Sequence, residues 1–340
     1  MGSPSSHPTD RTAAAAQRRR ALLRALAATP LGLSIMVRAQ RGRVYRIGML
    51  ESVPQTRNAA NLDALRRGLR DLGYVEGRNL VIEYRSADGD AGRFPALAAE
   101  LVRLRVDVIV TRGTPAALAA KNATTTVPVL MATMGDPAGT VASLRRPGGN
   151  VTGLTTYSTE LIGKRVELLH ELVPHMSRVA LLHNMANPVA AREWEETRNA
   201  ARALDLAPEL IDVRSEDDIS RALTAPSMRG VDGLLVGADG LTQMRGRRIV
   251  DLIAALRLPA AYPSREFVEQ GGLMAYAIRY PELYLRFAAY IDKILKGAAP
   301  AELPIEQPIR FDLVINLKTA RALGLEIPPS LLLRADQVIS

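Results

Sequence analysis

From Val44 onward, short aliphatic and β-branched runs alternate with amphipathic stretches, and each pair takes roughly 30 residues. Strands are predicted at Val44–Leu50, Leu80–Tyr84, Val106–Val110, Val127–Met131, Val179–His183, Glu209–Val213 and Val231–Val236. Most are near-continuous apolar runs, as strands covered by helices on both faces must be. Between them lie helical patterns at Asn61–Leu72, Leu97–Leu104, Leu161–Leu172, Ala190–Leu204, Gln243–Leu256 and Leu283–Leu295. In the first of these, Leu62, Leu65, Leu69 and Leu72 line one face at three- and four-residue spacing, and Gly73 is expected to end the helix. Strand–helix alternation of this kind implies right-handed crossovers and parallel sheets.

The rhythm breaks at Arg146-Pro147-Gly148-Gly149-Asn150-Val151-Thr152-Gly153, read as a loop, and a second block of strand–helix units begins near Val179. Two similar blocks predict two doubly wound α/β lobes with parallel sheets. An eight-fold barrel uses a similar number of units and is the alternative fold. A barrel does not account for the tail after Gly271, where Gly272–Tyr276, Pro304–Pro308 and Phe311–Ile315 read as extended passages around one helix. Those passages suit a chain crossing back between lobes.

Residues 18–40, RRRALLRALAATPLGLSIMVRAQ, read as an export signal. Arg19 and Arg20 followed by Leu22-Leu23 and Arg24 resemble the twin-arginine pattern, with a general secretory route as the alternative. The apolar run Ala25–Val37 is short and interrupted by Pro30 and Gly32, so a membrane span is not expected. Val37-Arg38-Ala39 offers short side chains for cleavage, which places the mature start near Gln40.

Residues 1–40 hold six Arg against one Asp, +5 of the whole chain's +9, leaving +4 for the remaining 300 residues. The high charge thus belongs largely to the leader and does not argue for nucleic-acid binding. The pairs Arg145-Arg146 and Arg247-Arg248 have no interleaved aromatics and read as solvated surface. Cysteine is absent, which excludes disulfides, thiolate metal sites, a cysteine nucleophile and a lipidated cysteine after the signal.

In open α/β sheets, ligands sit beyond the carboxyl ends of strands and against helix N-termini. Here those ends carry Thr111-Arg112-Gly113-Thr114-Pro115, then Gly135-Asp136-Pro137, Asn184 with Asn187-Pro188, Asp239-Gly240, and Tyr262-Pro263-Ser264. Thr114 and Asp136 are expected as helix caps. Free amides at such ends suit a carboxylate, and Asp136 or Asp239 suits an ammonium group. Tyr157, Tyr262 and Tyr276 are expected to line one cleft between the lobes.

Catalytic signatures are missing. His170 and His175 are poorly spaced for a shared metal, and His183 stands apart, so no zinc site is expected. Asp88-Gly89-Asp90 lacks the remaining calcium-loop positions and reads as a turn. No nucleophile elbow, dinucleotide or phosphate-loop motif occurs, and no cofactor is expected.

Several motifs in order resemble one family. They are Gly113-Thr114-Pro115-Ala116-Ala117, Thr126-Val127-Pro128-Val129, Asp136-Pro137, the Arg146–Gly153 segment, and Tyr262-Pro263-Ser264-Arg265-Glu266-Phe267. Later come Gly271-Gly272-Leu273-Met274, Ile294-Leu295-Lys296-Gly297, Leu303-Pro304-Ile305-Glu306-Gln307-Pro308, Leu313–Ala320 and Gly324-Leu325. From about Val44 the chain resembles ABC-transporter substrate-binding proteins of the family that includes tryptophan- and tyrosine-binding members. The resemblance implies a type I periplasmic binding protein fold, with two lobes joined by three crossing segments. By analogy the first lobe takes 44–153 plus about 277–308, and the second takes 154–276 plus about 309–340. Ligand contacts carried over from the family fall on Thr114, Asp136, Thr155, Tyr157, Asn184, Asp239 and Tyr276. Where the family usually has Tyr-Gly after Gly-Gly-Leu-Met, this chain has Ala275-Tyr276-Ala277, placing an extra methyl near the expected cleft.

The implied function is a periplasmic receptor that is not an enzyme. It would bind a small organic solute, with an aromatic amino acid as the lead, and hand it as a monomer to an ABC permease in the inner membrane. A ligand-sensing regulator on the same fold would need a helix-turn-helix before the core, and residues 1–43 show none. A barrel-type enzyme would need acid–base or metal residues that the sequence does not assemble.

Overall fold

Ile47, Met49 and Leu50 lie on both faces of the first strand and are wholly buried, which is possible only in the middle of a covered sheet. That strand, β1 (Tyr45–Glu51), opens the first lobe. It is followed by α1 (Ala59–Asp71), β2 (Leu80–Ser86), α2 (Phe94–Arg103), β3 (Val108–Thr111), α3 (Thr114–Ala123), β4 (Val129–Met134) and β5 (Val151–Thr155). The computed structural model describes residues 1–2, 43–135, 140–156, 158–307 and 310–340. The expected export signal, Asp136 and Tyr157 lie outside the described residues. Val44–Ser340 forms one compact unit, distinct from Met1–Arg43.

The first sheet has the order β2-β1-β3-β4-β5, and every pair in it is parallel. The chain then enters a second sheet through α4 (Ser158–Leu172), β6 (Arg178–His183), α5 (Ala190–Ala203), β7 (Ala207–Asp212), α6 (Glu216–Thr224) and β8 (Gly233–Val236). It continues with α7 (Gly240–Met244), α8 (Gly246–Ala255), β9 (Ala260–Tyr262), α9 (Arg265–Glu269) and β10 (Met274–Ala277). Helix α10 (Tyr280–Leu295) returns to the first lobe, where Tyr284, Phe287 and Ile291 share a core with Leu62, Leu65 and Leu69 of α1. The chain crosses back again into β11 (Asp312–Asn316), α11 (Leu317–Leu323), α12 (Pro329–Arg334) and β12 (Gln337–Ile339). The second sheet runs β12-β11-β10-β9-β8-β6-β7, parallel except for the antiparallel pair β10–β11.

Two open sheets leave no closed barrel. Each carries a separate apolar cluster on either face, and each fully buried aliphatic or aromatic side chain contributes about 1.5–3 kcal/mol. The predicted strands and helices agree with the observed elements apart from their ends. Three details differ. Gly73 does turn the chain after α1 at φ 93°, but Leu72 is exposed rather than packed. The Arg146–Gly153 segment contains the start of β5, because Val151 and Thr152 pair with Val129 and Leu130. β12, α6, α9, α11 and α12 also lie in stretches where no element is predicted.

In the first sheet β1 lies between β2 and β3, and in the second β6 lies between β7 and β8. At both places the strand order reverses, so the loops leaving adjacent strands diverge and open a crevice. The two crevices hold the residues described next.

Candidate functional site

A cavity of about 630 Å³, part of it continuous with solvent, lies between the carboxyl ends of the two sheets. Ser52 after β1, Arg112–Pro115 after β3 and Gly135 after β4 form one wall. Asn187 after β6 and Ala238–Gly240 after β8 face them, with Thr156, Ser158 and Val189 at the side. Ala87, Phe94 and Tyr280 supply apolar surface. The lobes also touch elsewhere on the surface, where Arg57 Nη1 donates to the Met244 carbonyl at 2.7 Å. A Cβ on Gly135 would lie 2.4 Å from Ser158 Oγ and 2.8 Å from Val189 Cγ2.

Arg112 is the cation of the first wall. It is 6 % exposed, its guanidinium lies 4.4 Å from the Tyr280 ring centroid, and its Nη1 donates to Asn58 Oδ1 at 3.2 Å. Stacking and a fixed hydrogen bond hold the planar fork in one orientation, which is how arginine is used for carboxylate recognition. Behind it sits Glu51, wholly buried at the end of β1. Tyr284 Oη donates to Glu51 Oε1 at 2.6 Å, while Oε2 has no hydrogen-bond partner. Burial pushes the Glu51 carboxyl up to about 7, against the lowering pull of Arg112.

Asp239 is the anion of the opposite wall. It caps α7 by accepting from the Leu241 amide at 2.8 Å, with Thr242 closing a capping box. Asn184 Nδ2 donates to its Oδ1 at 3.2 Å and Asn187 Nδ2 to its Oδ2 at 2.9 Å. These donors hold both oxygens in place while the residue still lines the cavity. Beneath this wall, His183 and Glu193 are fully buried and their side chains meet at 2.9 Å. Burial disfavours charge on both, but their hydrogen bond outweighs it, holding His183 above and Glu193 below its ordinary value.

The residues expected from sequence divide into three groups. Thr114 and Asp239 line the cavity. Gly113 rather than Thr114 is the cap of α3, so the Thr114 hydroxyl is free to accept from the Gly135 amide at 3.3 Å. Asn184 stands behind Asp239 and supports it. Thr155, Tyr262 and Tyr276 fall outside the lining, contrary to the expected cleft. Thr155 is buried in β5 and its hydroxyl donates to the Met134 carbonyl at 2.9 Å, and the next residue, Thr156, reaches the cavity. Tyr262 is 1 % exposed and stacks on Phe267 with ring centroids 5.2 Å apart. Tyr276 packs on Phe311 at 5.8 Å, and its carbonyl accepts from Arg165 Nε at 3.0 Å. Ala277, expected near the cleft, is buried in β10 opposite Asp312.

Arg112, Glu51, Ser52 and Tyr280 were missed. A cation directly after the apolar run of β3 was a usable signal for Arg112. Nothing local marks Tyr280, which reaches the site only because α10 returns to the first lobe. Among the described residues no cluster of three or more His, Asp or Glu side chains is placed to hold a metal. Among them, too, no helix is long and apolar enough to cross a membrane.

Comparison with known proteins agrees with this geometry. The profile of the family described as ABC transporter substrate binding protein matches residues 47–339. A solved ABC domain from Streptococcus pneumoniae in complex with L-Trp is 30% identical, with a TM-score of 0.78 over 86% of this chain and 100% of that one. A conserved domain protein from Vibrio cholerae O1 biovar eltor superimposes with a TM-score of 0.81 at 26% identity, over 87% of this chain and all of that one. The tyrosine-binding protein of Clostridioides difficile strain R20291 is 27% identical over 274 residues, 78% of each chain. With two parallel-dominated lobes, a charged cavity between them and a family match over nearly the whole core, this chain belongs to the ABC transporter substrate binding protein family.

Proposed function

We propose that the protein is the exported receptor of an ABC importer and binds a small zwitterionic solute between its lobes. The leading candidate is an aromatic amino acid, which closure of the hinge would carry to a membrane permease. One observation carries this reading: a fixed cation, Arg112, and a fixed carboxylate, Asp239, stand on opposite walls of one cavity. The α-carboxylate meets Arg112, the ammonium meets Asp239, and the side chain lies toward Phe94, Ala87 and Pro115. The tryptophan-bound and tyrosine-binding relatives support an aromatic side chain. Thr114 is assigned to the same contact set, and from sequence so are Asp136 and Tyr157. Because the solute touches both lobes, it favours the closed form over the open one.

Residues 1–40 are assigned as the export signal and the mature receptor to the periplasm, working as a monomer. The solute assignment is tested by thermal denaturation of residues 41–340 with L-tryptophan, L-tyrosine, L-phenylalanine, and the corresponding amides and amines. A ligand that binds only the native state raises the melting temperature. The expected result is a rise with the amino acids and little with analogues lacking the carboxylate. Equal rises with the amines, or none with any amino acid, would refute the zwitterion reading.

A further inference from the structure

Glu51 has no part in the contacts proposed above, yet it occupies the switch point of the first sheet with no exposed surface. A buried carboxylate is costly unless a cation or donors compensate it. The groups facing it come from four elements: Arg112 from the β3–α3 turn, Tyr284 from α10, Tyr84 from β2 and Asn58 ahead of α1. Arg112 is the cation among them, and on its other side it meets Tyr280 of α10 and feels Glu266 of the second lobe. The same guanidinium lines the cavity. In the empty receptor, then, Arg112 has an internal counter-ion before any solute arrives.

A solute carboxylate at Arg112 adds a second anion to one cation that is itself buried beside a buried Glu51. Two carboxylates that share a dry site cannot both stay ionised at ordinary cost, and one takes a proton. The solute carboxylate is the stronger acid, and it holds the cavity side of the guanidinium. Glu51 Oε2 has no partner and is the open position for hydrogen.

We propose that Glu51 is an internal stand-in for the solute carboxylate, and that solute binding at Arg112 is coupled to uptake of one proton by Glu51. This rests on the zwitterion reading above and adds to it a positioning residue that touches no solute. The balance is simple: solvent supplies the proton, Glu51 becomes a neutral acid, and Arg112 transfers its charge pairing to the solute. Burial already pushes the Glu51 carboxyl up to about 7, so exchange falls in an accessible range. Burial also pushes the Tyr84 and Tyr284 hydroxyls upward, which keeps both neutral throughout that range. His183, behind Asp239 on the other wall, is the second group whose titration must be separated from that of Glu51.

The test is calorimetric titration of residues 41–340 with L-tryptophan and L-tyrosine, from pH 5.5 to 8.5, in phosphate and in Tris. Buffers of different ionisation enthalpy report the protons exchanged. Uptake should approach one proton near pH 8 and vanish by pH 5.5. Affinity should be level below about pH 7 and weaken above it by at most about tenfold per pH unit. Glu51→Gln should bind with buffer-independent heats and a flat pH profile, whereas His183→Gln should keep the uptake. Binding by the native protein with no proton exchange overturns the inference while leaving the zwitterion reading intact, and it needs no variant to be folded. Uptake that persists in Glu51→Gln overturns it too, by assigning the proton elsewhere. If neither amino acid binds at any pH, the zwitterion reading fails and takes this inference with it.

Discussion

Arg112 and Glu51 are both buried, so removing Arg112 alone at pH 8 leaves the Glu51 carboxylate without its cation. Breaking a buried pair by deleting one partner costs about 3–5 kcal/mol. Arg112→Met should therefore lose stability on that order in urea unfolding at pH 8, and the double variant with Glu51→Gln should recover part of it, with a coupling of about 1–3 kcal/mol. A double variant no more stable than Arg112→Met would show that the two do not interact. The pH dependence has a definite sign. The folded protein holds the Glu51 proton up to about 7, against an ordinary value of 4.5. Its stabilising contribution is complete below that ordinary value and is lost as pH rises toward 7, by a total on the order of 3 kcal/mol. Hence Glu51→Gln should match the native protein near pH 5 and exceed it in stability at pH 8. Of these residues the sequence announced little. Thr114 and Asp239 were legible because a strand end followed by a helix demands polar or small residues. The isolation of Glu51 was not legible, since burial is a property of the partners that cover it.

At the level of elements, both walls are built from turns that leave parallel strands, and closeness there is set by small residues. Gly135 ends the β4 turn against Ser158 and Val189 of the second lobe. A methyl at that position collides with Ser158 and Val189 rather than with the first lobe itself. Gly135→Ala should fold normally and bind L-tryptophan at least about tenfold more weakly, because closure contributes coupling of the usual 1–3 kcal/mol. It should also lose the solute-induced compaction that the native protein is expected to show in X-ray scattering. Native affinity and native compaction in that variant would dismiss the close approach as a determinant of closure. Most elements were visible as periodic runs. β5 was hidden because Gly149-Asn150-Val151-Thr152-Gly153 has turn composition and becomes a strand only by pairing with β4. Helix α6 had a signal that went unused: Ser215 accepts from the Asp218 amide at 3.1 Å and three acids follow it in the first turn.

At the scale of the whole molecule, the architecture depends on the chain changing lobes. After β10 it leaves the second sheet for α10, which packs against α1, and returns through Ile305 and Glu306 beside β5 to reach β11. Under the proposed function these crossings are the segments about which closure would turn. The assignment of residues 1–40 belongs to this scale as well. Fused to a reporter, they should direct it to the periplasm, and changing Arg19 and Arg20 together to Lys should retain the fusion in the cytoplasm. Export undisturbed by the double change would reassign the leader to the general secretory route.

The amino-acid sequence by itself determined the α/β class, the two blocks and the strand ends where polar residues gather. Each of these follows from local periodicity and turn chemistry, which operate within a few residues. The tertiary structure alone decided which strand ends face one another, and hence that Arg112 and Asp239 share one cavity. It also turned Tyr262 and Tyr276 into packing residues and brought α10 to enclose Glu51. The shared cavity and the enclosure of Glu51 depend on residues more than a hundred positions apart being pressed together, and no pattern confined to one stretch of chain carries that information.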